Sequence, residues 1–173
     1  MTEIKKSNRS TVIIVVVLLV LTVAVVVLAM LRREDIQERI AMQESGTFLL
    51  TANGYTHSVA MDDLLAIGYE AVTSSPRGET RNFTGVPLVA IFNHFDIDYS
   101  AASNILFTSL DGFATAISVS DALDRENTFI VFEEDGVPLG TREEGGRGPY
   151  MVVVALDPFP NRWARYLMEV VVQ

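Results

Sequence analysis

The hydrophobic pattern of the chain is dominated by one apolar run near its N-terminus. From Thr11 to Leu31, 21 consecutive residues carry no charge, and most of them are Val, Leu or Ile. As a helix that rises about 1.5 Å per residue, this run spans roughly 31 Å, which matches the hydrocarbon thickness of a bilayer. In lipid each backbone amide must find its partner within the segment, so a helix is the expected state. The pattern predicts a transmembrane helix at residues 11–31, surrounded by the lipid bilayer.

Two other interpretations of the run compete with a membrane anchor. A cleaved secretory signal has a shorter apolar core followed by an A-x-A-like site, whereas this run continues to Leu31 and ends on Arg32 and Arg33. A core helix of this length without a polar face needs a much larger protein around it. An uncleaved signal anchor is therefore favoured over both.

The charges that flank the run predict its orientation. Lys5, Lys6 and Arg9 precede it, while Arg32 and Arg33 follow it. The larger positive cluster is expected in the cytoplasm, which places the rest of the chain outside. We therefore expect a single-pass protein of the cell membrane. Its predicted parts are a cytoplasmic tail (1–10), the transmembrane helix (11–31), a stalk (32–46) and an extracytoplasmic domain (47–173).

Beyond the anchor, short apolar stretches alternate with turn signals. Asn53-Gly54 predicts a hairpin between strands 47–51 and 55–59, and Asp111-Gly112 predicts another between strands 105–110 and 113–119. The remaining predicted strands are 69–74, a strand through Phe83, 129–132, 150–156 and 167–172. The predicted helices are a continuation of the anchor through 34–45 that stops at Gly46, then 61–67, 86–95 and 120–123, the last beginning at Ser120. Short strands outnumber short helices, which indicates a mixed α+β domain. The glycines and charges of residues 140–148 predict an exposed, mobile loop.

Charge and cysteine content exclude several classes of function. Residues 34–173 contain 8 Arg, no Lys and 21 acidic residues, a formal charge of −13. Such a surface repels phosphate backbones, so nucleic acid is not expected as a partner. The chain has no cysteine, which excludes a disulfide, a thiolate zinc site, an iron–sulfur cluster and a thiol nucleophile.

The polar residues form no motif typical of a catalytic or metal site. His57 and His94 lack the spacing of a metal-binding pair, and the acidic stretches at 96–98 and 133–135 do not follow the calcium-loop pattern. Both stretches are interpreted as solvated carboxylates. No serine lies in a G-x-S-x-G elbow, so a hydrolase is not expected. No catalytic residue and no metal ligand is predicted.

Several strings occur along the domain in an order that carries a family resemblance. They are FTGVPL (83–88), SLDGFATAIS (109–118), DAL (121–123) and FEEDGVPL (132–139), followed by Trp163. Together they resemble the molybdopterin-binding domain of sulfite oxidase-like oxidoreductases, in the reduced version of small secreted or membrane-anchored bacterial proteins. The resemblance covers about residues 47–172. It implies a mixed sheet with short helices, a molybdopterin cofactor and oxidoreductase activity.

The chain departs from that family at the metal ligand. In the family a cysteine thiolate binds molybdenum from a loop that follows the strand corresponding to residues 69–74, and the positions here read Thr73-Ser-Ser-Pro-Arg77. Serine can coordinate as an alkoxide, but the softness of a thiolate is what tunes the metal. We therefore expect the fold without molybdenum redox chemistry. No cofactor is predicted, and molybdopterin is implied by the resemblance alone.

Arginines recur in the loops beside the family's cofactor cleft. They are Arg77, Arg81, Arg142, Arg147, Arg162 and Arg165. Guanidinium groups bind phosphate or carboxylate in a bidentate manner, and with the amides around Gly146 and Gly148 they would form an anion pocket. The alternative is that they pair with the surrounding acids. The candidate cofactor-binding residues are Ser74, Arg77, Arg81, Arg147 and Arg165.

Three hypotheses of function follow. The leading one is an anchored extracytoplasmic module that binds a small anionic ligand or a partner membrane protein and is non-catalytic, or at least independent of molybdenum. The second is an oxidoreductase that holds a pterin through arginine and backbone contacts and uses a non-cysteine metal ligand. The third is a role in assembly, carried mainly by the membrane helix and the stalk.

Overall fold

The computed structural model describes the backbone of residues 4–173 and the side chains of residues 11–30, 37 and 39–173. The chain divides into two compact units, residues 1–38 and 39–173. Helix α1 (Ile4–Glu44) is the first element. Within it, Thr11–Met30 is long and apolar enough to cross a membrane, with a mean hydropathy of 3.6 and no part buried. This candidate span agrees with the predicted transmembrane helix, and its orientation stays a prediction.

The second unit contains ten strands and three short helices among the residues that the structure describes. The strands are β1 (Thr47–Ala52), β2 (Tyr55–Ala60), β3 (Glu70–Ser74), β4 (Arg81–Pro87), β5 (Asn104–Ser109), β6 (Ala114–Ser118), β7 (Thr128–Glu134), β8 (Val137–Pro138), β9 (Met151–Val154) and β10 (Leu167–Val172). The helices are α2 (Met61–Ile67), α3 (Leu88–His94) and α4 (Val119–Leu123), with 3₁₀ turns at Pro76–Gly78 and Pro160–Arg162. The mixed α+β class is confirmed.

The strands form two sheets. Sheet A has the order β2-β1-β10-β5-β6, in which β1 and β10 are parallel and the other pairs are antiparallel. Sheet B has the order β3-β4-β7-β8, and β9 also pairs with β7. Both predicted hairpins form, the first through Asn53 (φ 52°) and Gly54 (φ 81°), whose left-handed backbone suits a two-residue turn.

Buried hydrophobic residues from both sheets form one core cluster. In β1 the alternation of side chains buries Phe48 and Leu50 completely, and in β5 it buries Ile105 and Phe107. All four residues of β9 are buried, which is typical of a strand covered on both faces. The start of β10 is tied to this region, because the Leu167 amide donates to the Tyr150 carbonyl at 3.0 Å.

Two predicted helix boundaries were wrong. Val86 and Pro87 belong to β4 rather than to the predicted helix at 86–95, because Val86 pairs with Ile130 of β7. The cap of α4 is Ser118 rather than Ser120, since the Ser118 hydroxyl accepts a hydrogen bond from the Asp121 amide at 3.2 Å. In both cases the helix boundary is set by where the preceding strand ends.

The loop predicted at 140–148 is exposed only in part. Gly148 is buried, and a Cβ there would lie 2.5 Å from Tyr166 Cα. A Cβ at Gly146 would lie 2.2 Å from the Leu139 carbonyl oxygen. The glycines at 146 and 148 therefore allow the loop to pack closely against its neighbours. The prediction of an exposed loop holds for 142–145 and is wrong for Gly148.

The compact second unit begins inside the predicted stalk. Gln43 is only 4% exposed, and the Tyr150 hydroxyl donates to the Gly46 carbonyl at 2.7 Å. Tyr150 is itself fully buried and packs edge-on against Phe48, with the ring centroids 5.2 Å apart. The residues just before β1 are thus part of the domain core.

Candidate functional site

Ser74, a candidate cofactor-binding residue within the stretch that corresponds to the family's metal ligand, ends β3 and faces the interior of the domain. Its side chain is 2% exposed, and its hydroxyl donates to the Ala155 carbonyl at 2.7 Å. The neighbouring hydroxyls are also engaged, Thr73 with the side-chain oxygen of Asn82 at 3.2 Å and Ser75 with the Thr80 hydroxyl at 3.3 Å. All three candidate hydroxyls therefore make contacts within the protein.

Arg77 lies in the 3₁₀ turn between β3 and β4. Its backbone is left-handed (φ 57°, ψ 20°), and its amide donates to the Pro158 carbonyl at 2.9 Å. A left-handed backbone is costly for a residue with a Cβ and is kept where surrounding contacts enforce it. Together with the bond from Ser74 to Ala155, this contact ties the loop at 74–77 to the segment at 155–158, while the Arg77 side chain is exposed.

Arg81 and Arg147 are brought together by one carboxylate, that of Glu134. Arg81 Nη1 lies 3.7 Å from one Glu134 oxygen, and Arg147 Nη1 donates to the other. The Glu134 side chain is only 19% exposed, so this pair of contacts is partly shielded from water. Arg81 also lies over the ring of Trp163, with 6.0 Å between Cζ and the ring centroid. The indole N–H of Trp163 donates to the Val154 carbonyl at 3.2 Å, which fixes the ring in the core.

Arg162 forms a second ion-pair cluster. Its guanidinium donates to both carboxylate oxygens of Asp157, at 2.8 and 2.5 Å, and to Asp121 at 2.8 Å. These hydrogen bonds, first to Asp157 and then to Asp121, raise the pKa of Arg162 above its ordinary value. Arg81, Arg147 and Arg162 therefore pair with the protein's own acidic residues, which is the alternative considered from the sequence.

Arg165 borders an open groove beside the turn between β5 and β6. The groove has a volume of about 340 Å³ and is lined by Asp111, Phe113, Pro160, Asn161, Trp163 and Arg165. Arg165 is exposed and forms no ion pair with any residue that the structure describes, and the same is true of Arg77 and Arg142. Of the candidate set, Arg165 is the guanidinium placed beside both an aromatic ring and open space.

The amides expected to complete an anion pocket are already used. The Gly146 N–H donates to the Thr141 carbonyl and the Gly148 N–H to the Gly140 carbonyl, both at 2.8 Å. The loop's glycines therefore serve its own backbone pairing. In this arrangement these two amides already have backbone partners, and the anion pocket with Arg147 stays a prediction.

Glu134 is the residue of this site that sequence reasoning missed. It lies in the acidic stretch at 133–135, which was interpreted as solvated carboxylates. That interpretation is wrong for Glu134, whose position at the end of β7 turns it toward Arg81 and Arg147. The sequence signal that could have identified Glu134 was its place at the end of a strand, just before the Asp135-Gly136 turn.

Two exposed carboxylates elsewhere hold turns rather than a ligand. Asp98 accepts from the Ser100 amide at 2.9 Å, and Glu144 accepts from the amide and hydroxyl of Thr141. These hydrogen bonds lower the pKa of both carboxyl groups. Within the described part of the chain, no three His, Asp or Glu side chains are grouped to hold a metal ion.

The residues at the candidate site do not fit a molybdenum-ligating role. The chain has no thiol, the Ser74 hydroxyl is buried and donates to a carbonyl, and two of the arginines share Glu134. An alkoxide ligand from Ser74 would require the side chain to leave this hydrogen bond and turn out of the core. No reaction step through such a cofactor follows from this geometry.

Comparisons with known proteins support the fold. No protein-family model and no curated protein sequence matches the chain. Among solved structures, the chain is similar to the crystal structure of the sulfane dehydrogenase SoxCD from Paracoccus pantotrophus, with a TM-score of 0.60 and 13% sequence identity. The match covers 75% of this chain and 38% of that chain, so the present chain spans little more than a third of its length. The likeness shows a fold shared with part of an oxidoreductase.

Proposed function

We propose that this chain is a membrane-anchored, extracytoplasmic binding module, built on a sulfite oxidase-like fold without molybdenum redox activity. It binds a partner protein or a small anionic ligand. The observation that carries the proposal is the hydrogen bond from the buried Ser74 hydroxyl to the Ala155 carbonyl. The Ser74 side chain, a candidate for cofactor binding, is used to hold the domain together.

This hydrogen bond matters because of what its loss would cost. Turning the Ser74 side chain outward would leave the Ala155 carbonyl unpaired in the core, and an unpaired buried acceptor costs about 1–3 kcal/mol. The amide of Arg77 holds the same loop to Pro158. Hydroxyl oxygen is also a harder ligand than the thiolate that suits such a centre. Both the geometry and the ligand chemistry favour a structural role for this loop.

The groove beside Arg165 provides the chemistry for binding. An exposed guanidinium lies there with Phe113, which is 41% exposed, and with the edge of the buried Trp163. Arginine and aromatic side chains are enriched where binding energy concentrates, and the guanidinium fork recognises carboxylate and sulfate oxygens. A small dianion or a carboxylate side chain of a partner is the ligand this groove would take.

The first experiment tests for the metal. The full-length chain would be produced in a host that makes molybdopterin, purified in detergent, and examined by elemental analysis and native mass spectrometry. We expect molybdenum and pterin far below one per chain. Recovery of molybdenum at one per chain would overturn the proposal in favour of the oxidoreductase hypothesis.

The second arm tests for binding and uses the single tryptophan as a reporter. Trp163 lines the groove, so its fluorescence should change saturably when succinate or sulfate is added. The variant Arg165→Ala should lose this response, whereas Arg142→Ala, which removes another exposed arginine, should keep it. An equal response in both variants would assign the effect to ionic strength and remove the groove as a binding site.

A further inference from the structure

The groove beside Arg165 is bordered by two opposite charges that come from neighbouring segments of the chain. Strands β5 and β10 are antiparallel neighbours, and beyond their last pair the Leu110 amide donates to the Tyr166 carbonyl at 3.0 Å. Asp111 follows Leu110 and Arg165 precedes Tyr166, so the two charged residues lie on adjacent segments. Both side chains are exposed, and both line the groove.

These two charges are satisfied neither by each other nor by a third charged residue. Among the residues that the structure describes, Asp111 and Arg165 form no ion pair. One carboxylate oxygen of Asp111 accepts a hydrogen bond from the Phe113 amide at 3.0 Å, which holds the side chain in the turn. By contrast, the arginines bound to Glu134 and Asp157 are neutralised within the domain. The groove therefore presents a free cation beside a free anion.

The groove also has an apolar wall that is held in place. Phe113, Pro160 and Trp163 contribute to its lining, and Phe113 is 41% exposed. The indole N–H of Trp163 donates to the Val154 carbonyl at 3.2 Å, which fixes the ring. The volume of about 340 Å³ lies at the lower end of the range of roughly 300–1,000 Å³ that is typical of small-molecule sites. This volume and lining suit a small ligand with one apolar group.

We propose that the groove binds a small zwitterion, an α-amino acid with an apolar side chain. Its carboxylate would bind the Arg165 guanidinium, and its ammonium group would bind the open oxygen of Asp111. Its side chain would pack against Phe113 and Pro160. The two charged groups of an α-amino acid are attached to one carbon, which suits charges on adjacent segments. The inference rests on the proposed function as a binding module and names the class of ligand.

The pair of charges argues against ligands that carry one kind of charge. A dianion would bring its second negative group toward Asp111, and residues 34–173 already have a formal charge of −13. An amine without a carboxylate would be repelled by Arg165. A neutral ligand would remove water from both charged groups without replacing it, which costs free energy. A ligand with both charges gains from both residues.

The test compares leucine with two analogues that each lack one of its charged groups. 4-Methylpentanoate is leucine without the ammonium group, and 3-methylbutylamine is leucine without the carboxylate. Binding to the full-length protein in detergent would be measured at constant ionic strength by Trp163 fluorescence and by isothermal titration calorimetry. Because each charged hydrogen bond contributes to affinity, we expect leucine to bind more tightly than either analogue by about tenfold or more. Succinate and glycine should also bind more weakly than leucine.

Two variants assign the two charged contacts to their residues. Asp111→Asn keeps an oxygen for the Phe113 amide and removes the charge, so it should weaken leucine about tenfold and should not weaken 4-methylpentanoate. Arg165→Ala should weaken both ligands, while Arg142→Ala, which removes another exposed arginine, should weaken neither. Circular dichroism checks the fold of each variant. The ligand series on the unaltered chain tests the inference even if a variant fails to fold.

The outcomes separate this inference from the proposed function. Succinate or 4-methylpentanoate that binds as tightly as leucine would overturn the inference and leave the groove as a site for simple anions. Leucine binding that a folded Asp111→Asn variant retains in full would also overturn it. If none of these ligands binds, the inference fails together with the small-ligand part of the proposed function. Molybdenum recovered at one per chain would overturn the proposed function without changing the order of these affinities.

Discussion

The Ser74 hydroxyl and the Ala155 carbonyl, 81 positions apart in sequence, are joined by a hydrogen bond of 2.7 Å. This contact links the end of β3 to the residue that follows β9. The loop after β3 is where the sequence resemblance predicts the position of the family's metal ligand. In this chain Ser74 instead stabilises the junction with the segment after β9. A substitution of Ser74 should therefore change the stability of the domain first.

The variant Ser74→Ala should therefore destabilise the domain. Loss of the hydroxyl leaves the Ala155 carbonyl without a partner, which costs about 1–3 kcal/mol in the free energy of unfolding. The matched control is Ser75→Ala, because Ser75 is exposed and its change should stay within about 0.5 kcal/mol. Urea unfolding of the full-length protein in detergent, followed by Trp163 fluorescence, measures both. Equal free energies of unfolding for the two variants would show that this hydrogen bond does not stabilise the domain.

The elements predicted best are those determined by local chemistry. Asn53 and Gly54 specify a tight turn by themselves, and the first hairpin formed where it was predicted. The boundary between β4 and α3 could not be predicted in the same way. Pro87 is acceptable at the start of a helix, so the local pattern favoured a helix from Val86. The pairing of Val86 with Ile130 extends the strand instead, and that contact is remote in sequence.

The arginine site shows the same limit. Arg81 and Arg147 were predicted to face an anion, and the structure places an anion between them, but it is the protein's own Glu134. From sequence, Glu134 is one of three consecutive acids ahead of a turn. Its ion pairs depend on the alignment of β7 with β4, which sets Glu134 opposite Phe83, and on the return of the loop at 145–147. Neither is visible in local composition.

Glu134 should stabilise the domain through its two guanidinium partners. A double-mutant cycle with Glu134→Gln and Arg147→Ala should give a coupling energy of about 1 kcal/mol, because the carboxylate is partly shielded from solvent. The control cycle uses Glu70→Gln and Arg125→Ala, an ion pair whose side chains are 42% and 63% exposed. Its coupling should be about 0.5 kcal/mol or less. Thermal or urea unfolding measures all variants, and a larger coupling in the control pair would contradict the assignment.

Tyr150 should make stability depend on pH in the alkaline range. Burial, with the charges of Asp63 and Asp62 adding to it, raises the pKa of Tyr150 to about 12 from an ordinary value of 10.0. Because the folded state holds this proton more tightly, the stabilisation is fully present below pH 10 and is lost as the pH rises through about 12. A shift of this size corresponds to roughly 2 kcal/mol or more.

The variant Tyr150→Phe isolates this contribution. It removes both the titrating group and the hydrogen bond to the Gly46 carbonyl, so at pH 8 it should be less stable than the wild type by about 1 kcal/mol. Between pH 10 and pH 12 its free energy of unfolding should fall less than that of the wild type, and the two curves should converge, because only the wild type must retain a neutral phenol in the core. Urea unfolding at pH 8, 10, 11 and 12 measures both proteins. Curves that stay parallel over this range would mean that the Tyr150 hydroxyl titrates alike in the folded and unfolded chains.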